Sequence, residues 1–151
     1  MENFLKNIKL DGKYIIRFTS KEFDCDCEFH SDSVESIIHQ DNMLYFYPSN
    51  GAEEPQFFCV SEEDFEDFSR VVEKSPMFVN CGPDYIFSVE NVVGFDKGST
   101  NKSISVDCRN RLYDVNLRKK SDSDNLVNAV RTKWINSLKD IGYYKESTLG
   151  E

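Results

Sequence analysis

The segment FDCDCEFH, residues 23–30, brings together residue types that can do chemistry at close spacing. Cys25 and Cys27 stand one residue apart, and His30 follows them. Thiolate and imidazole groups are common zinc ligands, and a pair of thiols can also carry redox chemistry. Three interpretations are therefore open: a metal site, a redox pair, or a strand whose thiols are structural.

The alternation within this segment favours the third interpretation. Phenylalanine and cysteine occupy every second position from Phe23 to Phe29, as expected for a strand with one buried face. His30 then projects away from the thiols, whereas the ligands of a tetrahedral zinc site must converge. Neighbouring carboxylates would also raise a thiol pKa, which disfavours redox chemistry. We therefore predict core thiols, with no metal and no cofactor.

The run SEEDFED, residues 61–67, is the second distinctive segment. Ser61 can cap a helix, and acids in a first helical turn suit the positive end of the helix dipole. A cap and a dipole need only one or two acids, so the excess predicts a partner-binding surface. The residues of that surface are Glu62, Glu63, Asp64, Glu66 and Asp67. A solvated helix start is the alternative interpretation.

Charge is distributed unevenly along the chain, whose net charge is −9. Residues 1–96 carry 20 acidic and 7 basic side chains, whereas residues 97–150 carry 6 acidic and 11 basic ones. The candidate nucleic-acid-binding residues are Arg109, Arg111, Arg118, Lys119 and Lys120. These cations either contact phosphates, pair with the acidic half of the chain, or are simply solvated.

Turn signals and hydrophobic periodicity predict an α+β fold built mostly of antiparallel β-hairpins. A short acidic helix is expected over about residues 61–74 and a long C-terminal helix over about residues 123–141. Trp134 is expected to anchor the long helix by packing. Each cysteine is expected to be reduced, because the five cysteines have no framework spacing.

The length of 151 residues fits a single domain over residues 1–151. Ser33–Asp41 and Ser88–Asp96 share four of nine residues, which is either chance or the trace of an internal β-β-β-α duplication over about residues 33–74 and 88–141. We see no signal peptide and no long apolar run, so a cytoplasmic location without membrane contact is expected.

Four segments carry a resemblance to a known family: Val34–Ile38, Glu62–Val72, Asp84–Val92 and Asn116–Lys120. Over residues 33–131 their order resembles the LytTR DNA-binding domain, an elongated, mostly-β fold of bacterial regulators. The resemblance implies that residues just before Tyr85 face DNA, but here they are Gly82, Pro83 and Asp84. A proline and an acid are poor donors to phosphates or bases. Arg118 matches a family arginine that contacts DNA.

Catalysis is the least supported class of function, because phosphate-loop, zinc-protease and nucleophile-elbow motifs are missing from the sequence. His30 and His39 are expected to be surface residues. The leading interpretation is a non-enzymatic, acidic protein-interaction module. It would act as an inhibitor, immunity or anti-defence protein of bacterial or phage origin, covering the basic surface of a nucleic-acid-binding partner. The alternative is a LytTR-like DNA-binding transcriptional regulator.

Overall fold

The computed structural model describes residues 4–52, 54–98, 100, 102–117, 123–140 and 142. The described strands are β1 (Leu5–Asp11), β2 (Ile15–Ser20), β3 (Cys25–His30), β4 (Val34–Gln40), β5 (Met43–Pro48), β6 (Gln56–Cys59), β7 (Phe78–Cys81), β8 (Tyr85–Ser88), β9 (Val92–Lys97), β10 (Ser103–Cys108) and β11 (Leu112–Asn116). The described helices are α1 (Glu62–Val72) and α2 (Ser123–Asp140). The predicted α+β class, with a short helix and a long C-terminal helix, is confirmed.

The strands form three antiparallel sheets. Sheet A has the order β1-β2-β3, sheet B the order β6-β5-β4-β8-β7, and sheet C the order β11-β10-β9. Sheet B is buried on both faces, because successive residues of its central strands enter different cores. Ile37 and Ile86 enter the first core, whereas Ile38 and Phe87 enter the second. Sheet B is therefore the middle layer of the molecule.

The first core lies between sheet A, one face of sheet B and α1, and its centre is aromatic. The Phe18 ring lies 5.3 Å from the Phe58 ring and about 6 Å from the rings of Phe29, Phe46 and Phe68. Offset and edge-on ring pairs at such distances add to the free energy of burial. We call these five residues the aromatic core.

The second core lies between the other face of sheet B, sheet C and α2. Trp134 of α2 packs edge-on against Phe95, with 5.6 Å between ring centroids, and its indole N–H donates to the Val89 carbonyl at 3.1 Å. Arg131 also donates to the Phe95 carbonyl. These contacts dock α2 on β9 and on the turn that precedes it, in agreement with the packing role predicted for Trp134.

The region between α1 and β10 differs most from expectation. β7 was not predicted, because its four residues lie between two turn signals and show no clear alternation. The next segment contains two strands, β8 and β9, and a 3-10 turn at Val89–Asn91 between them passes the chain from sheet B to sheet C. One order of elements occurs twice in succession: two strands, a 3-10 turn, three strands and a helix. It runs first from β2 to α1 and then from β7 to α2. The internal duplication stays a prediction.

Candidate nucleic-acid interface

One end of the molecule joins three segments that are distant in sequence. A Cβ atom added at Gly82, in the β7–β8 turn, would lie 3.1 Å from Cδ2 of Leu117 and 3.4 Å from Cγ1 of Val115. The Leu117 N–H donates to the Lys102 carbonyl at 2.7 Å. The β7–β8 turn, the β9–β10 loop and the end of β11 therefore meet. We call this the exit surface, and it consists of Gly82, Pro83, Asp84, Lys102, Asn116 and Leu117.

Glycine is required at position 82 for two reasons. Its φ of +71° lies in the left-handed region, which residues with a Cβ adopt at a cost. The close approach of Leu117 also leaves little room for a side chain. The Gly82 backbone therefore lies directly against the side chains of Leu117 and Val115 at the end of β11.

His39 fixes the same turn from inside the molecule. Its backbone N–H donates to the Asp84 carbonyl at 2.9 Å, and its Nε2 donates to the Val60 carbonyl at 3.1 Å. The ring stacks on Phe65 with 4.7 Å between centroids. His39 is only 6% exposed, so the expectation that it is a surface residue is wrong. It was misjudged because its polar side chain enters a layer that is buried on both faces.

The charge at the exit surface is mixed. Lys102 is exposed, whereas the Asp84 side chain is only 14% exposed and its carboxylate lies 3.8 Å from Nδ1 of His39. Burial, followed by the charges of Asp84 and Asp114, raises the pKa of Tyr85. Arg118, Lys119 and Lys120 follow Leu117 in the sequence and lie outside the described residues.

Arg109 and Arg111 lie at the opposite end of the β10–β11 hairpin, so the structure does not bring them to the exit surface. Nη1 of Arg111 lies 2.7 Å from Oε2 of Glu35, a carboxylate with no solvent exposure. Glu35 also accepts hydrogen bonds from the Tyr113 hydroxyl at 2.9 Å and from the Asn110 N–H at 3.0 Å. Arg111 therefore braces the second core, and a role in phosphate contact would compete with that ion pair.

Sequence reasoning missed Glu35 and Tyr113. The available signal was that Glu35 is the one acid within the run Val34–Ile38, where every other residue is apolar or small. A buried acid requires a partner, which here comes from a hairpin more than 70 residues later. Burial, followed by the hydrogen bond and charge of Glu35, raises the pKa of Tyr113. We call Glu35, Arg111 and Tyr113 the buried triad.

Four of the five acids of α1 are exposed, and the fifth, Asp64, is not. The Ser61 hydroxyl accepts from the Asp64 N–H at 3.2 Å, so the predicted helix cap is present. Asp64 itself is buried, and its carboxylate accepts from the Phe4 N–H at 2.6 Å. Asp64 therefore holds the start of β1, contrary to its expected place on a partner-binding surface. Exposed side chains remain at Glu62, Glu63, Glu66 and Asp67.

The thiols are also divided between two environments. The period-two pattern of β3 is present, but Cys25 is exposed and Cys27 half-buried, so the expectation that both are core thiols is wrong. The pattern identifies a shared face but not how far the opposite layer covers it. Cys81 and Cys108 are buried, and burial raises the pKa of Cys81 to about 12. Within the described residues, no three or more His, Cys, Asp or Glu residues are grouped to hold a metal.

Comparison with known proteins gives one informative match. No family model matches the chain, and no curated protein matches its sequence. Among solved structures, the chain is similar to the LytTr DNA-binding domain of a Bacillus cereus protein described as a methyl-accepting/DNA response regulator. The match has a TM-score of 0.50 and 16% identity, and it covers 76% of this chain and 97% of that one.

This chain has a LytTR-like fold. The resemblance inferred from the four sequence segments is thereby confirmed at the level of the fold. At 16% identity the likeness concerns architecture, so function has to be argued from the surface of this chain. Within the described part of the chain, neither helix combines the length and the apolar character needed to cross a membrane.

Proposed function

We propose that this protein binds double-stranded DNA through the exit surface, as a LytTR-like domain without catalytic activity. One observation carries the proposal. The residues that the family resemblance implies to face DNA, residues 82–84 and Arg118, come from separate parts of the chain. Gly82 packs on Leu117, which directly precedes Arg118 in the sequence.

The orientation of the side chains at this end of the molecule favours phosphate contact more than the residue types alone suggest. Asp84, which is a poor neighbour for a phosphate, turns its carboxylate inward towards His39 and is mostly shielded from solvent. Lys102 is exposed, and Arg118, Lys119 and Lys120 follow the surface in sequence. Lysine and arginine contacts to phosphates supply most of the affinity for DNA that is independent of sequence.

The net charge of −9 sets the expected salt dependence. The local cations release counterions on binding, so affinity is expected to fall as salt rises, while long-range repulsion by the acidic half, which is least screened at low salt, partly offsets this trend. With about four phosphate contacts, the slope of log K against log salt is expected to be about −3.6. Removing one contact changes that slope by about 0.9.

The test is binding of the full chain to fluorescent duplex DNA, after selection from a random-sequence pool, at low and moderate salt. Arg118→Ala and Lys102→Ala are expected to weaken binding and to flatten its salt dependence. Lys9→Ala, an exposed lysine in sheet A, is the matched control and is expected to leave binding unchanged. Equal losses in all three variants, or no enrichment of any duplex, would contradict the proposal.

A pair of glycine variants tests the geometry of the surface without changing charge. Gly82 and Gly12 both have positive φ, but an added Cβ meets Leu117 at 3.1 Å only in the case of Gly82; at Gly12 nothing lies within 4 Å. Both Gly82→Ala and Gly12→Ala introduce similar backbone strain. Only Gly82→Ala is expected to weaken DNA binding, because only it displaces the turn from the end of β11. Equal affinity of the two variants would argue against the exit surface.

The exposed acids of α1 support a second candidate function, namely recognition of a basic protein partner by an inhibitory or immunity-type module. Changing Glu63 and Glu66 to Gln and Asp67 to Asn is expected to have opposite effects on protein binding and on DNA binding. Loss of these charges is expected to slow association with a basic protein partner but to tighten DNA binding. Kinetics with partners recovered from host extract, measured beside the DNA titration, distinguish these outcomes.

A further inference from the structure

His39 is a buried histidine, and one of its ring nitrogens has no hydrogen-bond partner in the part of the chain that the structure describes. Nε2 donates to the Val60 carbonyl at 3.1 Å, so the neutral ring carries its proton on Nε2 and a lone pair on Nδ1. Nδ1 lies 3.8 Å from Oδ1 of Asp84, a residue of the exit surface. A lone pair and a carboxylate cannot form a hydrogen bond with each other, so this contact lacks a proton.

We propose that His39 is a proton-dependent positioning residue, and that protonation of its Nδ1 strengthens the binding of DNA at the exit surface. The inference rests on the DNA-binding function proposed above and concerns the regulation of that same surface. A protonated Nδ1 is a donor, so it can form a charge-assisted hydrogen bond with the Asp84 carboxylate. Such bonds span about 2.7–2.9 Å, so the two side chains would approach each other by about 1 Å.

The new hydrogen bond changes the exit surface in two ways. The imidazolium compensates the negative charge of Asp84, which otherwise repels a phosphate at this end of the molecule. The bond also fixes the β7–β8 turn through a side chain, in addition to the bond from the His39 backbone N–H to the Asp84 carbonyl. Because a phosphate near this turn favours the charged ring in return, DNA binding takes up a proton. The affinity for DNA therefore rises as the pH falls.

The elements packed around the ring contribute mainly apolar groups. Phe65 of α1 stacks on the ring, and Leu44 of β5 lies opposite His39 in the ladder. The carboxylate of Asp64, in the first turn of α1, accepts a hydrogen bond from the start of β1. Charged groups farther out at this end of the molecule are exposed to solvent, namely Glu66, Arg70 and Glu73 of α1 and Asp41 of the β4–β5 turn. Asp84 is therefore the charged group that Nδ1 meets on the inner side of the turn.

The chain contains two histidines, which provides a matched control. His30 is exposed at the end of β3, and its Nδ1 lies 2.8 Å from Oδ1 of Asp32. His30 precedes β4, whereas His39 lies near the other end of that strand. His30→Gln therefore removes a titrating ring far from the exit surface. His39→Gln keeps an amide that can donate to the Val60 carbonyl but gains no proton, and Asp84→Asn removes the carboxylate.

The experiment is a titration of the selected duplex DNA with the full chain at constant salt, at about pH 8 and about pH 6, the range in which histidine ordinarily changes charge. The affinity of the unaltered protein and of His30→Gln is expected to rise about tenfold at the lower pH, within the limit of about a hundredfold that one linked proton allows. In His39→Gln and in Asp84→Asn the change is expected to be less than about twofold. An equal rise in His39→Gln and in the unaltered protein would overturn the proposal.

A measurement without DNA separates this proposal from the function on which it rests. In an NMR titration of the free protein, the His39 ring signals and the Asp84 amide signal are expected to shift together as the pH falls. An Asp84 signal that does not follow the ring would overturn the proposal. Coupled shifts without duplex binding at either pH would refute the DNA-binding function and the change in affinity, while supporting the proton-dependent contact. Asp84→Asn, in an exposed turn, provides the same test if His39→Gln does not fold.

Discussion

The two cores on either side of sheet B are stabilised in different ways. The aromatic core is held by ring packing, and Phe18 alone contacts four other phenylalanines. The second core contains the buried triad, in which the carboxylate of Glu35 depends on Arg111 and Tyr113. Loss of a ring leaves a cavity that neighbours can partly fill, whereas loss of a charge partner leaves a group that cannot be solvated. The second core is therefore expected to be less tolerant of substitution.

The largest effect is expected from Arg111→Met. Removing the guanidinium leaves the Glu35 carboxylate buried and without its ion pair, which is expected to lower the free energy of unfolding by about 3–5 kcal/mol. Urea denaturation measures this loss. The double variant Glu35→Leu/Arg111→Met is expected to recover much of it, since the uncompensated charge is gone. A double variant no more stable than Arg111→Met would mean that packing, not charge, explains the loss.

Alkaline pH is expected to have the second-largest effect on the free energy of unfolding, again by destabilising the second core. Burial raises the pKa of Cys81 above its ordinary value near 9.0 to about 12. A raised pKa in the folded state contributes stability that is complete below pH 9 and is lost as the pH rises towards 12. The free energy of unfolding is expected to fall by about 2–3 kcal/mol between about pH 9 and 11 from this thiol. Cys81→Ala should flatten the profile; an unchanged slope would exclude Cys81 as its source.

Phe18→Leu tests how much the packing of the aromatic core contributes to stability. The side chain is fully buried, but leucine keeps much of its volume, so the expected loss is about 2 kcal/mol in the free energy of unfolding. Phe57→Leu is the control, because Phe57 is 53% exposed, and its effect is expected to stay within about 0.5 kcal/mol. A loss in Phe18→Leu as large as that in Arg111→Met would remove the difference between the cores.

Trp134→Phe has the smallest expected effect. Phenylalanine keeps the edge-on contact with Phe95 but cannot donate to the Val89 carbonyl, a loss of about 1 kcal/mol. Thermal unfolding followed by circular dichroism is a suitable measurement. A loss of several kcal/mol would show that the indole is needed for packing as well as for its hydrogen bond.

Features encoded locally could be predicted from the sequence. Ser61 before an acidic turn predicted the start of α1, and alternation predicted β3. Spacings of three and four predicted α2 and its contact through Trp134. The signals in these segments act over a few residues, so they do not depend on what the chain does elsewhere.

Features that depend on distant partners could not be predicted. Segments more than 20 residues away decide the partners of Glu35, the inward turn of Asp84 and the burial of His39. The meeting of Gly82 with Leu117 is of the same kind, so the exit surface has no signature in either segment alone. Alternation placed Cys25 and Cys27 on one face, but the coverage of that face is set by sheet B.

Sheet B is built from two separate segments of the chain, and this has a consequence for the synthesis of the protein on the ribosome. Residues 34–59 supply three of its strands, but Phe78 and Ile86 of the other two are needed to complete the first core. Ser36 pairs with Phe87, so a nascent chain that ends after α1 still exposes one edge of β4 and much of its apolar surface. The apolar surface of the first half therefore stays partly exposed to solvent until β7 and β8 leave the ribosomal exit tunnel. Chaperone binding or misassembly is expected during this interval.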